Sequence, residues 1–141
     1  MYCYLCQKMV ASRLRADHVC SSCICVEIKD TEFRRRTHQR KLVIPTDITD
    51  EISKTARELY REAYQGIPVR LLGIRATDIS SEDYVQIGLF EQKKREKLRK
   101  LDASIDKIRG KYGRDSIRRA SFLKGDIDHM TGGHRSKKEL E

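Results

Sequence analysis

Four absences bound what this 141-residue chain can do. It has no uninterrupted apolar run of about 18 residues, so no stretch reads as a membrane-spanning helix. Nor does its N-terminus show the pattern of a signal peptide, and the expectation is a soluble protein of the cytoplasm. It also lacks a glycine-rich phosphate-cradling loop, since Gly132 and Gly133 stand in a polar tail with no strand before them. Finally, it lacks an even set of cysteines. Five cysteines in a reducing compartment read as thiols or metal ligands rather than as a disulfide framework.

What the chain has in excess is positive charge. The formal net charge is +9, and residues 1–90 carry 14 Lys/Arg against 12 Asp/Glu whereas residues 91–141 carry 16 against 9. Such a balance favours a polyanionic partner, nucleic acid being the commonest, although a basic helix is equally often a solvated face. The length fits one domain with appendages.

Residues 2–16 suit a helix, with Leu5, Met9 and Leu14 at apolar positions and Arg13 and Arg15 near its end. Residues 22–28 alternate, Ile24, Val26 and Ile28 facing one way and Cys23, Cys25 and Glu27 the other, which predicts a half-buried strand. Residues 37–44 form a second extended run that Pro45 ends. A helix then begins with Thr49 as its expected N-cap and Asp50 and Glu51 in its first turn. Ile52, Ala56, Leu59, Tyr60, Ala63 and Tyr64 recur at intervals of three and four, so the two tyrosines read as core rather than as base-stacking platforms. Gly66 and Pro68 stop that helix. Residues 69–77 predict a third strand, with Leu72 and Ile74 turned to the core and Arg75 turned away from it.

The strongest local feature is basic. Arg34, Arg35, Arg36, Arg40 and Lys41 supply five of the eight residues from 34 to 41. On a strand they would hold a phosphate backbone without reading bases. Charged protection of a sheet edge is the plainer explanation, but it rarely needs so many like charges. The expected phosphate-backbone contacts are Arg34, Arg35, Arg36, Thr37, Arg40, Lys41 and Arg75.

Gln86-Ile87-Gly88-Leu89-Phe90 divides this patterned segment from a basic tail. Its glutamine offers donors and an acceptor, and its last two residues are large apolar groups suited to a partner's pocket; on its own it could equally be a strand end. In the tail, Leu98, Leu101, Ile105 and Ile108 fall at a/d spacing over too few heptads for a coiled coil, so the stripe is expected to dock on a neighbouring surface. A shorter helix is expected around residues 115–123, and disorder from 124 on. The boundaries expected are thus 1–80 for the patterned domain, 81–90 for a linker with the anchor, 91–123 for the basic helical tail and 124–141 for a disordered end.

Arg13-Leu14-Arg15, the strand ending towards Phe33, the basic run, the helix to Tyr64 and Val69-Arg70-Leu71-Leu72-Gly73-Ile74 together resemble the little finger domain of Y-family DNA polymerases, of the bacterial UmuC/DinB-like translesion type. The resemblance spans about residues 5–125 and is most specific at residues 70–74 and 86–90. It implies an α+β fold, an antiparallel or mixed sheet with two helices on one face, followed by a helical tail. It implies that the other sheet face touches mainly DNA phosphates, so the expected phosphate-backbone contacts become DNA contacts. In that family a segment like Gln-Leu-Ser-Leu-Phe binds the β sliding clamp, so Gln86, Ile87, Leu89 and Phe90 become the expected clamp contacts. Ile87 and Gly88 depart from the commoner leucine and serine, and Gly88 would loosen the free peptide and weaken binding. A strand preceding the first helix is expected and is missing from this sequence. The clustered palm carboxylates that hold two divalent metals in such a polymerase are also missing, so no cofactor is expected and the chain alone should not be catalytic. The partners implied are DNA, the β sliding clamp and the palm, finger and thumb regions of a polymerase, with no membrane.

Two competing readings remain. Cys3, Cys6, Cys20 and Cys23 form two CxxC pairs thirteen residues apart, a spacing that could make a zinc-ribbon nucleic-acid adaptor, although they fall on an expected helix and strand without the glycine-containing turns of such a site. His18, His38, His129 and His134 show no metal-binding spacing. The other is a basic helical scaffold that has no DNA function.

Overall fold

The alternation of Ile24, Val26 and Ile28 organises the domain. All three lie in the core, at 0 %, 0 % and 6 % exposure, on the central strand of a three-stranded sheet. A computed structural model describes residues 2–81, 89–114 and 116–117, with the backbone alone for 2–6 and 89. In chain order the elements are α1 (Tyr2–Ala16), β1 (Cys20–Asp30), β2 (Arg35–Thr46), α2 (Thr49–Ala63), β3 (Val69–Ser80) and α3 (Leu89–Tyr112). The sheet order is β2-β1-β3 and both pairings are antiparallel. This is the α+β architecture expected, and the sheet is wholly antiparallel among the described strands.

Helices α1 and α2 cover one face, α1 touching β1 and β3 and α2 touching β1 and β2. Ala11 and Leu14 from α1 meet Ile52, Ala56 and Leu59 from α2 over the β1 isoleucines and valine. Leu42, Leu72, Ile74 and Ala76 from the outer strands complete this layer. The two tyrosines divide: Tyr60 packs against the core, while Tyr64 stacks on it at 5.4 Å and stays 44 % exposed. The strands run longer than the sequence pattern indicates, and β2 takes in Pro45. Pro45 is tolerated there because β2 is an edge strand, where a missing N–H breaks no essential ladder bond.

The N-terminus of α2 departs from expectation. Its cap is Ile48, which offers no side-chain bond, and Thr49 is already helical. The orphan N–H of Thr49 donates instead to Asp102 Oδ2 of α3 at 2.9 Å. A carboxylate there satisfies the donor and also complements the positive end of the helix dipole.

Asp102 belongs to a polar stripe through which α3 docks. Arg15 of α1 donates to Asp106 at 2.7 Å, to Asp102 at 3.1 Å and to the Asp47 carbonyl at 2.7 Å. Arg95, 8 % exposed in its side chain, pairs with Glu51 and donates to the Pro45 carbonyl, and Arg99 pairs with Asp47 at 2.9 Å. Spacings of four, three and four put Arg95, Arg99, Asp102 and Asp106 on one helix face. The apolar stripe expected to dock divides, Leu98 and Ile105 being half-buried while Leu101 is 56 % and Ile108 38 % exposed. Helix α3 ends at Gly113, whose φ of +96° closes the last turn with a bond from its N–H to the Arg109 carbonyl. The short helix expected at 115–123 and the end from 124 lie mostly or wholly outside the described residues. Among the described residues no helix is long and apolar enough to cross a membrane.

Candidate nucleic-acid interface

Strand β2 carries basic residues at successive positions, and the pleat sends alternate ones to opposite faces. Register decides which goes where. Ile24 pairs with Arg40, Val26 with His38 and Ile28 with Arg36, so these three β2 residues share the face of the core. They meet α2 there. Arg40 donates to Glu58 at 2.7 Å and also to Glu62, His38 lies 2.9 Å from Glu62, and Arg36 donates to Gln65. Glu62 is held below the usual carboxylate range, chiefly by its hydrogen bond to His38 and then by that to Arg40. The Arg40 guanidinium is shifted further up by Glu58 and Glu62. Two residues expected to grip DNA are thus engaged by helix carboxylates or an amide on the covered side.

Among the described residues the opposite face is free of helices. Lys41 stands beside Cys23 and Thr37 beside Glu27, while Arg35 lies beside Lys29, all on that side. From β3, Arg75 lies beside Cys25 and Leu71 beside Lys29 on the same side. Along this paired stretch Lys29, Arg35, Lys41 and Arg75 are opposed by one carboxylate, Glu27. Glu27 sits on the central strand and bridges both edges, to Arg35 at 2.9 Å and to Arg75 at 3.3 Å. Its side chain is 18 % exposed while the two arginines are 65 % and 64 % exposed. One acid therefore orients two guanidinium groups without neutralising the face. Among the described residues Lys41 has no carboxylate partner and is exposed. Arg34 lies just before β2 and pairs with exposed Glu32.

Of the seven residues expected at DNA, the structure gathers Arg35, Thr37, Lys41 and Arg75 on the open face and turns Arg36 and Arg40 to the helices. Lys29 joins the open face, and sequence reading missed it. The signal existed: Glu27 and Lys29 continue the outward parity of Cys23 and Cys25.

The anchor residues Gln86 and Ile87 lie outside the described residues, as does the side chain of Leu89. Phe90 lies in the first turn of α3 and is 92 % exposed. Arg95 and Arg99 face inward, whereas Lys93, Lys94 and Lys100 are exposed.

The cysteines sit in regular structure. The Cys3 and Cys6 positions fall on α1, and Cys20 and Cys23 lie on β1 at 8 % and 6 % exposure. A zinc ribbon needs each CxxC pair on a tight turn that points both thiolates at one ion, and a strand pair inside a sheet does not provide that turn. Among the described residues no group of three or more His, Cys, Asp or Glu could hold a metal ion.

The sequence model of the impB/mucB/samB family C-terminal domain matches residues 5–89. The chain is 36 % identical over 123 residues to DNA polymerase IV of Acetivibrio thermocellus, covering 85 % of this chain and 31 % of that protein. It is 36 % identical over 120 residues to DNA polymerase IV of Clostridium acetobutylicum, covering 84 % and 30 %. It is 32 % identical over 125 residues to DNA polymerase IV 1 of Bacillus subtilis, covering 87 % and 30 %. The chain spans about a third of the length of these relatives.

Proposed function

The chain belongs to the impB/mucB/samB C-terminal family, the C-terminal domain of Y-family polymerases, and from that premise we propose that it is the DNA-gripping domain of a DNA polymerase IV-like translesion enzyme. The observation that carries this reading is the separation of charge across the sheet. One face is covered by helices, its arginines being engaged by Glu58 and Glu62 of α2 and by Gln65 just beyond it; the other carries half-buried Lys29 and exposed Arg35, Lys41 and Arg75 with a single buttressing acid along the paired stretch. Cations spread over three strands match a phosphate backbone, not a base edge, so the domain holds DNA without selecting sequence. Polymerisation itself requires metal-binding carboxylates that the rest of the enzyme would contribute. The proposed setting is repair of damaged DNA in the bacterial cytoplasm.

The second half of the proposal is a tether. Gln86, Ile87, Leu89 and Phe90 bind the β sliding clamp, Phe90 being a large apolar side chain left in water at the start of α3. An exposed phenylalanine beside an aliphatic pair is the kind of anchor that fills a hydrophobic pocket. The clasp of Arg95, Arg99, Asp102 and Asp106 holds α3, which carries Phe90 in its first turn, on the domain.

Both halves are tested by binding. Affinity of the purified chain for duplex DNA should fall steeply with salt and hardly vary with sequence, and strong sequence selectivity that salt does not affect would overturn the DNA reading. Binding to a bacterial β clamp should be lost in Leu89→Ala/Phe90→Ala; equal binding by the two proteins would overturn the tether.

A further inference from the structure

The turn between β1 and β2 holds an unexplained aromatic. Phe33 has φ +64°, a left-handed conformation uncommon for a bulky side chain, and is 60 % exposed. The turn is built around Asp30, only 5 % exposed. Its carbonyl accepts from Phe33 N–H at 3.1 Å, its carboxylate accepts from Arg34 N–H at 2.9 Å, and its own N–H donates to the Arg34 carbonyl at 3.1 Å. Thr31 N–H adds a bond to the Pro68 carbonyl, which ties the turn to the start of β3. The backbone therefore fixes a phenyl ring in water at the end of the sheet.

Two cations rest on that ring. Lys29 Nζ lies 5.0 Å from its centroid and Arg70 Cζ 4.6 Å. Among the described residues neither has a carboxylate partner, in contrast to Arg34, Arg35 and Arg75. A ring face attracts a cation without using up its N–H donors, whereas a carboxylate uses both charge and donors. Lys29 and Arg70 are thus positioned but not neutralised, and an incoming anion displaces no acid from them. Leu71, 49 % exposed, lies beside Lys29 on the open face and adds apolar surface of the kind a deoxyribose can cover.

Resting on the DNA-gripping reading above, we propose that Phe33 is a positioning residue that holds Lys29 and Arg70 as a preset cradle for a DNA backbone phosphate at the β1–β2 end of the open face. The charge of the cradle comes from the cations; its geometry comes from an uncharged ring. Binding therefore depends on Phe33 although Phe33 contributes no charge.

The test is DNA affinity at several salt concentrations, with melting temperature alongside, for Phe33→Leu, Phe33→Tyr, Lys29→Gln and Arg70→Gln. Each glutamine variant should reduce the slope of log affinity against log salt by about 1. Phe33→Leu should lose roughly threefold in affinity, the order of one exposed cation–π contact, and Phe33→Tyr should restore it because the ring returns. If Phe33→Leu unfolds, the two glutamine variants decide, since Arg70 is exposed and Lys29 has no buried partner. If all four bind as the parent does while Arg35→Gln and Lys41→Gln bind less, the cluster is only a brace for the turn and the open-face reading survives. If the parent chain does not bind DNA at all, the cradle falls together with that reading.

Discussion

The two faces of strand β2 receive the same kind of side chain and put it to opposite uses. Arg36, His38 and Arg40 look towards α2 and the residues just after it, where Glu58, Glu62 and Gln65 engage them. Arg35, Thr37 and Lys41 look away, onto a face with one acid. A basic run is therefore not a basic surface. On a strand, half of its charge goes to whatever packs on the covered side, and the useful half is found only once the core parity is known.

A second contrast sharpens the first. Helix α2 is held by Ile52, Ala56 and Leu59, all at 0 % exposure, whereas α3 is held by arginines and aspartates. The largest expected effect therefore lies under α2. Leu59→Ala removes a fully buried side chain from the helix layer and should cost about 2–5 kcal/mol in chemical denaturation. Under α3 the effect should be smaller and local. Arg15→Gln leaves Asp102 and Asp106 facing each other without their shared cation and should cost about 1–3 kcal/mol. Hydrogen exchange should then rise in α3 and in the first turn of α2, whose N–H depends on Asp102, while β1 stays protected. Equal protection loss across the sheet would show that the clasp is not a separate layer.

The smallest effect concerns pH. Glu62 is depressed in the folded protein, so its contribution is fully present above the ordinary carboxylate value and is lost as pH falls through its lower folded value. Arg40→Gln should bring Glu62 closer to the ordinary value, leaving His38 as its partner, and should flatten the acid limb of the stability profile. Carboxylate NMR titration reads this directly, and an unchanged Glu62 would contradict the pairing.

Much of the fold was legible because its elements obey simple periods. The parity of Ile24, Val26 and Ile28 and the stripe through Ile52, Ala56 and Leu59 locate the core without coordinates. The face of the arginines was legible too, since Arg36, His38 and Arg40 share parity with the apolar Leu42 and Ile44, but attention to total charge hid it. The clasp was harder to see. Docking by Arg95, Arg99, Asp102 and Asp106 runs against the rule that buried stripes are apolar, and it works only because α1 and the ends of α2 and β2 supply partners from distant sequence. Phe33 and its cations were illegible for the same reason: Arg70 reaches the ring across the sheet.

The central claim is that only one side of β2 meets DNA. It is tested most directly by comparing Arg35→Gln/Lys41→Gln/Arg75→Gln with Arg36→Gln/Arg40→Gln in salt-dependent binding to duplex DNA. The open-face variant should lose about 3 from the salt slope, while the helix-face variant keeps a slope close to that of the parent. Equal losses per charge removed would mean that strand parity does not govern the interface, and would contradict the account.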